Sequence, residues 1–158
     1  MLKLNDVINE NMILLDLEVK RKEEVINALV DLMYEQGKIE SKEDFLKSVY
    51  DREELLSTYC GSGIAIPHGI SDTVREPGIC FARINDISWS QLEEKVHFVF
   101  LLAVPSNEDG RRSSHLKLLS AIAVSSLEED VRKVWKNATS KQEILESLKP
   151  TLNKISDE

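Results

Sequence analysis

The chain has 158 residues, 42% hydrophobic and 30% charged, which fits one globular domain (1–158) with a sizeable core and excludes a disordered or fibrous chain. Its net charge of -8 and pI near 5.0 are the wrong balance for a nucleic-acid-binding face. The opening segment MLKLNDVINENMILLDLE has no signal-peptide core or cleavage site, and the longest apolar run, FVFLLAV (98–104), is far short of the ~20 residues that span a bilayer.

In chain order, MILLDLE (12–18) predicts a strand. RKEEVINALVDLMYEQGKI predicts a helix, with Val25, Ile26, Leu29, Leu32 and Met33 at helical spacing and Gly37 as its stop; the preceding Lys20-Arg21-Lys22 reads as a solvated helix start. SKEDFLKSVYDREELL predicts a second helix, N-capped by Ser41, with Phe45, Leu46, Val49 and Tyr50 in one stripe. GIAIPHGI, GICFARI and KVHFVFLLAV are short and β-rich, and the last is apolar enough for a central strand covered on both faces. After the loop PSNEDGRR, SSHLKLLSAIAVSS predicts a helix with Leu116, Leu119, Ile122 and Ala123 on one face. Ser126 with Glu129, and Ser140 with Glu143, read as capping boxes opening two more helices. The expectation is an α/β domain, a mixed sheet with helices on both faces. Cys60 and Cys80 match no zinc or redox spacing, which points to reduced thiols and a cytoplasmic protein.

GSGIAIPHGI (61–70) is the unusual stretch. Pro67 lacks an N–H and ends strand pairing, Gly69 permits unusual backbone or a close approach, and together they predict that His68 stands on an exposed turn at a strand end. Taken alone, His68 reads first as a turn histidine bonded to backbone and second as a reactive group. His115 follows Ser113-Ser114 and precedes an apolar helix, so the sequence places it in a first turn, where free amides attract anions and disfavour an imidazolium. Arg52 reads alone as a surface arginine, although its planar fork suits a phosphoryl group. His97, inside an apolar strand, reads as structural.

Together these residues resemble the enzyme IIA domain of the fructose/mannitol type in the bacterial phosphoenolpyruvate-dependent sugar phosphotransferase system. The resemblance rests on DREELLSTYCG, GSGIAIPHG and SSHLKLLSAIA, and the order of elements extends it along essentially the whole chain. It implies that His68, in the A-[apolar]-P-H-G signature, is the histidine transiently phosphorylated. It also implies that His115, in H-L-x-x-L, orients the phosphoryl group and that Arg52, at the R-E-x-L position, adds positive charge. Cys60 departs from the pattern, which usually has an apolar residue before the first glycine; a buried cysteine would serve as a small hydrophobe.

The resemblance further implies that HPr is the donor, that a cysteine of enzyme IIB is the acceptor, and that the membrane enzyme IIC is reached only indirectly. Ser114 is a candidate for a further phosphoryl contact, with an N-cap role ahead of it, and Gly69 for partner approach. Arg111 and Arg112, in the preceding loop, read as solvated charges or as steering groups. An apolar patch with Ile64, Ile66 and Ile70 beside His68 is a possible docking face, with a core role at least as well supported. No cofactor or metal is expected, since the chain has neither a P-loop with its lysine nor paired metal-ligand spacing. The alternative is a regulatory phosphoprotein of the nitrogen-regulatory type, where phosphorylation at His68 controls protein–protein contacts. The joint presence of Arg52, His68 and His115 weakens a third reading, a scaffold that keeps only the fold.

Overall fold

The structure is a computed structural model that describes the backbone of residues 4–90, 95–106 and 111–156, and the side chains of 6–90, 95–106 and 117–152. Helix α1 (Leu4–Val7) and a 3-10 turn lead into β1 (Ile13–Leu17). Helix α2 (Lys22–Glu35) opens where the Glu24 carboxylate accepts from the Lys20 and Arg21 amides, and it closes before Gly37 at φ +73°. Helix α3 (Lys42–Leu55) begins at Ser41, whose hydroxyl accepts from the Asp44 amide as its sequence position predicts. Strands β2 (Tyr59–Gly61), β3 (Ile64–Ala65), β4 (His68–Ser71), β5 (Gly78–Ser88) and β6 (Lys95–Pro105) follow, then α4 (Arg111–Ser126), α5 (Glu129–Asn137) and α6 (Lys141–Ser156).

All six strands form one mixed sheet. β6 lies at its centre, antiparallel to β5 on one side and parallel to both β3 and β4 on the other. β1 pairs in parallel outside β5, and β2 runs antiparallel outside β3. Successive strand residues point to opposite faces, so neighbouring contacts identify what covers each one. Phe81, Phe98 and Phe100 share a face and meet the buried Trp135 of α5 at ring-centroid distances of 6.2, 5.7 and 5.1 Å. Cys80 and Gly78 point the other way, against Met33 of α2. Helices therefore cover both faces, and β6 is buried almost throughout, as expected of a central strand.

Arg83 ties α5 to this sheet. Its guanidinium holds the Asp16 carboxylate with two bonds at 3.0 and 3.1 Å and donates to the carbonyls of Trp135, Lys136 and Ala138 at the end of α5.

Several local expectations are corrected. α4 buries Leu118, Ala121, Ile122 and Ser125; Leu119 is half-buried and Ala123 exposed, while Leu116 lies outside the described side chains. Ser126 ends α4 and bonds the Ala123 carbonyl, so α5 starts from Glu128 and no Ser126–Glu129 box forms. The Ser140–Glu143 box does form, with Glu143 accepting from the Thr139 and Ser140 amides. Cys60 is exposed rather than buried.

Candidate functional site

Glycine and proline shape the backbone that carries His68. The chain turns from β2 into β3 through Gly61, Ser62 and Gly63, all at positive φ. At Gly63 a β-carbon would stand 2.2 Å from Cε1 of His97, so this position excludes a side chain. His97 thus packs against the turn and lies 3.3 Å from Asp86, in keeping with a structural role.

Pro67 interrupts the sheet without ending it. β3 and β4 run along β6 in the same register, Ile64 opposite Phe98 and Ala65 opposite Val99, then His68 opposite Leu102 and Gly69 opposite Ala103. Continuing that register, the nitrogen of residue 67 falls opposite the Phe100 carbonyl, and a proline has no hydrogen to give it. The Pro67 carbonyl still accepts from the Leu102 amide at 3.0 Å, and pairing resumes at His68.

His68 is consequently the first residue of a strand and is only 6% exposed, which corrects the expectation of an exposed turn. Its Nδ1 lies 3.0 Å from the Ile66 carbonyl. A carbonyl can only accept, so Nδ1 carries the proton in this bond and Nε2 holds the in-plane lone pair. The Ile66 amide in turn donates to the Thr58 carbonyl at 3.1 Å. This bond fixes the tautomer of the neutral ring.

Gly69 serves packing rather than access. A β-carbon there would lie 2.3 Å from Ser48 Oγ, 2.9 Å from Phe45 Cε1 and 3.1 Å from Val49 Cγ2, all on α3. The space expected for an approaching partner is filled by the protein's own helix. Ile64 and Ile66 belong to the core, while Ile70 is 45% exposed.

α3 runs opposite to β4. Its start is pinned beyond the end of β4, where the Glu40 amide donates to the Thr73 carbonyl and the Ser41 amide to the Thr73 hydroxyl. Its middle lies over Gly69, so its last turn, with Arg52, extends past the His68 end of the strand. Arg52 there donates to the Leu56 carbonyl at 2.6 Å and caps its own helix. Gly69 faces α3, so alternation turns His68 toward the opposite face, the one covered by Trp135. α4 packs in that same layer, against α5 and α6.

His115 is the fifth residue of α4, because the helix starts at Arg111, earlier than expected. The amides of the first helical turn therefore precede His115. Ser114 is a helical residue and not an N-cap, and Arg111 and Arg112 open the helix instead of lying in the loop before it. The side chains of Arg111, Arg112, Ser114 and His115 lie outside the described residues.

Sequence reasoning missed Glu53. This carboxylate in the last turn of α3 is buried and accepts from the Thr58 amide, the Thr58 hydroxyl and Trp89 Nε1. In DREELL it looks like a solvated charge, and neither of its partners is within one helical turn. Among the described residues no group of histidine, cysteine and carboxylate side chains could hold a metal ion, and no helix is long and apolar enough to cross a membrane.

The sequence matches the family described as "Phosphoenolpyruvate-dependent sugar phosphotransferase system, EIIA 2" over residues 6–150. The fructose-specific EIIA component of Haloferax volcanii is 34% identical over 131 residues, covering 80% of this chain and 82% of that protein. Two further relatives, the 2-O-alpha-mannosyl-D-glycerate-specific EIIABC component of Escherichia coli and the fructose-specific EIIABC component of Bacillus subtilis, are longer, and this chain spans 23% of each. Among solved structures, the nitrogen regulatory protein IIA-Ntr from Neisseria meningitidis superposes with a TM-score of 0.82 at 28% identity, covering 92% of this chain and 98% of that one. Enzyme IIA mannitol, solved in complex with phosphorylated enzyme IIB mannitol from Escherichia coli, superposes with a TM-score of 0.76 at 25% identity, covering 89% and 96%. With a mixed sheet that presents a histidine of fixed tautomer at a proline-interrupted strand, this chain belongs to the EIIA 2 family of the phosphoenolpyruvate-dependent sugar phosphotransferase system.

Proposed function

We propose that this protein is a phosphocarrier of sugar uptake that accepts a phosphoryl group from phospho-HPr on Nε2 of His68 and passes it to a cysteine of enzyme IIB. The observation that carries this reading is the Nδ1 bond of His68 to the Ile66 carbonyl, which leaves the lone pair on Nε2. In the first transfer that lone pair forms the new N–P bond. The donor's N–P bond breaks, and its electron pair returns to the donor ring. The phosphorylated His68 ring is then cationic, and its bond to Ile66 becomes charge-assisted and stronger. In the second transfer an enzyme IIB thiolate forms an S–P bond, and the N–P electrons return to Nε2, restoring the neutral ring.

Phosphoryl transfer asks mainly for positioning and charge stabilisation. His115 and the amides that open α4 orient the phosphoryl oxygens, with Ser114 as a further donor and Arg52 as added positive charge. This assignment rests on the family signature and on two placements: α4 packs on the face toward which His68 points, and Arg52 sits at the end of α3 that extends past His68. Arg52 must release Leu56 to take part. The chain acts as one EIIA unit in the cytoplasm and reaches enzyme IIC only through enzyme IIB, without cofactor or metal.

The likeness to the Neisseria nitrogen regulatory protein favours a second reading, in which phosphorylation of His68 controls protein contacts. Incubation with phosphoenolpyruvate, enzyme I and HPr tests both readings. An acid-labile, alkali-stable phosphate should form on the native protein and be absent from His68→Ala. Equal labelling of the variant would sink either reading. Transfer onward to an enzyme IIB domain supports transport, and failure with every enzyme IIB offered supports regulation.

A further inference from the structure

Glu53 is placed where a negative charge is costly. It is 6% exposed and lies in the last turn of α3, beside the negative end of the helix dipole. No cation pairs with it among the described residues. Three neutral donors face it instead: the Thr58 amide at 3.0 Å, the Thr58 hydroxyl, and Trp89 Nε1 at 3.1 Å. Both N–H donors meet Oε2, and the Thr58 hydroxyl, which can donate or accept, meets Oε1. A glutamine can keep all three contacts, with its carbonyl toward the two N–H groups and its NH2 toward the hydroxyl, whereas a leucine leaves all three unmet.

Both donors of Thr58 are thus held by Glu53, while the carbonyl of Thr58 takes the Ile66 amide at 3.1 Å. The Ile66 carbonyl, on the same residue, takes the proton on His68 Nδ1 at 3.0 Å. Four residues from α3, the loop before β2, and both sides of Pro67 form one continuous run of hydrogen bonds. The acceptor that selects the His68 tautomer has no side chain to support it. Its position depends on the Ile66 backbone, and that backbone is braced through Thr58.

We propose that Glu53 is a positioning residue for His68, holding the Ile66 carbonyl through Thr58 so that the ring keeps its proton on Nδ1 and its lone pair on Nε2. The kinetic part of this proposal rests on the phosphocarrier reading. The tautomer part does not.

The test uses four variants of the full chain, Glu53→Leu, Thr58→Val, Thr58→Ser and Trp89→Phe. In the resting proteins 15N NMR reads the His68 tautomer. Single-turnover phosphorylation by phospho-HPr, and a urea midpoint, are measured on the same samples. Glu53→Leu and Thr58→Val should populate the Nε2–H tautomer and slow phosphorylation at saturating donor by about tenfold, with KM unchanged within about twofold. Thr58→Ser, which keeps the hydroxyl, should restore the native tautomer and rate. Trp89→Phe should lower the urea midpoint without moving either.

A folded Glu53→Leu with native tautomer and rate would overturn the proposal. So would a Trp89→Phe that shows the same losses, since those would then report general loosening. If Glu53→Leu does not fold, the threonine pair decides, and identical behaviour of Val and Ser at position 58 counts against the proposal. If the native protein takes no phosphoryl group, the phosphocarrier reading fails, while the tautomer comparison still decides the role of Glu53.

Discussion

Beneath Trp135 the sheet presents aromatic rings, Phe81, Phe98 and Phe100 lying against the indole. At the start of β4 the same sheet buries His68, Glu53 and Thr58, and hydrogen bonds hold each of them. The first region draws its stability from many small, non-directional contacts, and a shift of a few tenths of an ångström loses a little of each. In the second, every bond has a donor and an acceptor at fixed positions, and a buried group that loses its partner incurs the full cost of desolvation. The apolar region makes the fold stable. The polar region fixes the orientation of one ring.

The largest effect should come from breaking the apolar region. Trp135→Ala should cost about 3–5 kcal/mol by urea denaturation, as other large aromatic truncations do. The His68 tautomer should remain native in the folded fraction, and a changed tautomer would mean the two regions are coupled. Gly69→Ala should come next, at about 1–3 kcal/mol from overpacking against α3. It should also disturb His68, the adjoining residue. Ser48→Ala removes the nearest clashing atom, so the double variant should recover at least about 0.5 kcal/mol relative to additivity. Strict additivity would show that Ser48 is not the obstacle.

Ser41→Ala should cost about 1 kcal/mol through loss of the α3 cap, read by thermal or urea unfolding, without reaching His68. The smallest effect belongs to the exposed Glu143. Bonds from the Thr139 and Ser140 amides and from the Ser140 hydroxyl hold its carboxyl below the ordinary value of 4.5. A carboxyl lowered in the folded state adds stability that is present above its unfolded pKa and is lost as pH falls through the folded one. Native protein should therefore lose a small increment of stability below about pH 4.5 that Glu143→Gln does not lose. Parallel pH profiles of the two proteins would remove this contribution.

Much of the fold was legible because apolar spacing reports burial directly. The α2 stripe, the Ser41 cap, the Gly37 stop and the central strand all lie where local pattern puts them. α4 was less legible because small and apolar residues occur nearly all round it, and periodicity alone chose a face rotated from the buried one. Ser126 satisfied a helix-start pattern while still belonging to the helix before it.

His68 was legible as a residue of interest but not in its setting. A proline in a sequence reads as the end of a strand, and only the register of β6 shows pairing resuming one residue later. Gly69 gave a signal of close approach without saying which body approaches. Glu53 gave none, since its meaning lies in Thr58 and Trp89, brought to it by the fold.

The interruption at Pro67 also determines which parts of the site can vary in sequence. The partner of Nδ1 is the main chain of residue 66, so the identity of the side chain there does not set the chemistry of the ring. Position 66 can drift among apolar residues that fill the same core space, while the path of its backbone cannot. Part of what orients the His68 ring is carried by a peptide bond, where comparison of side chains among relatives will not register it.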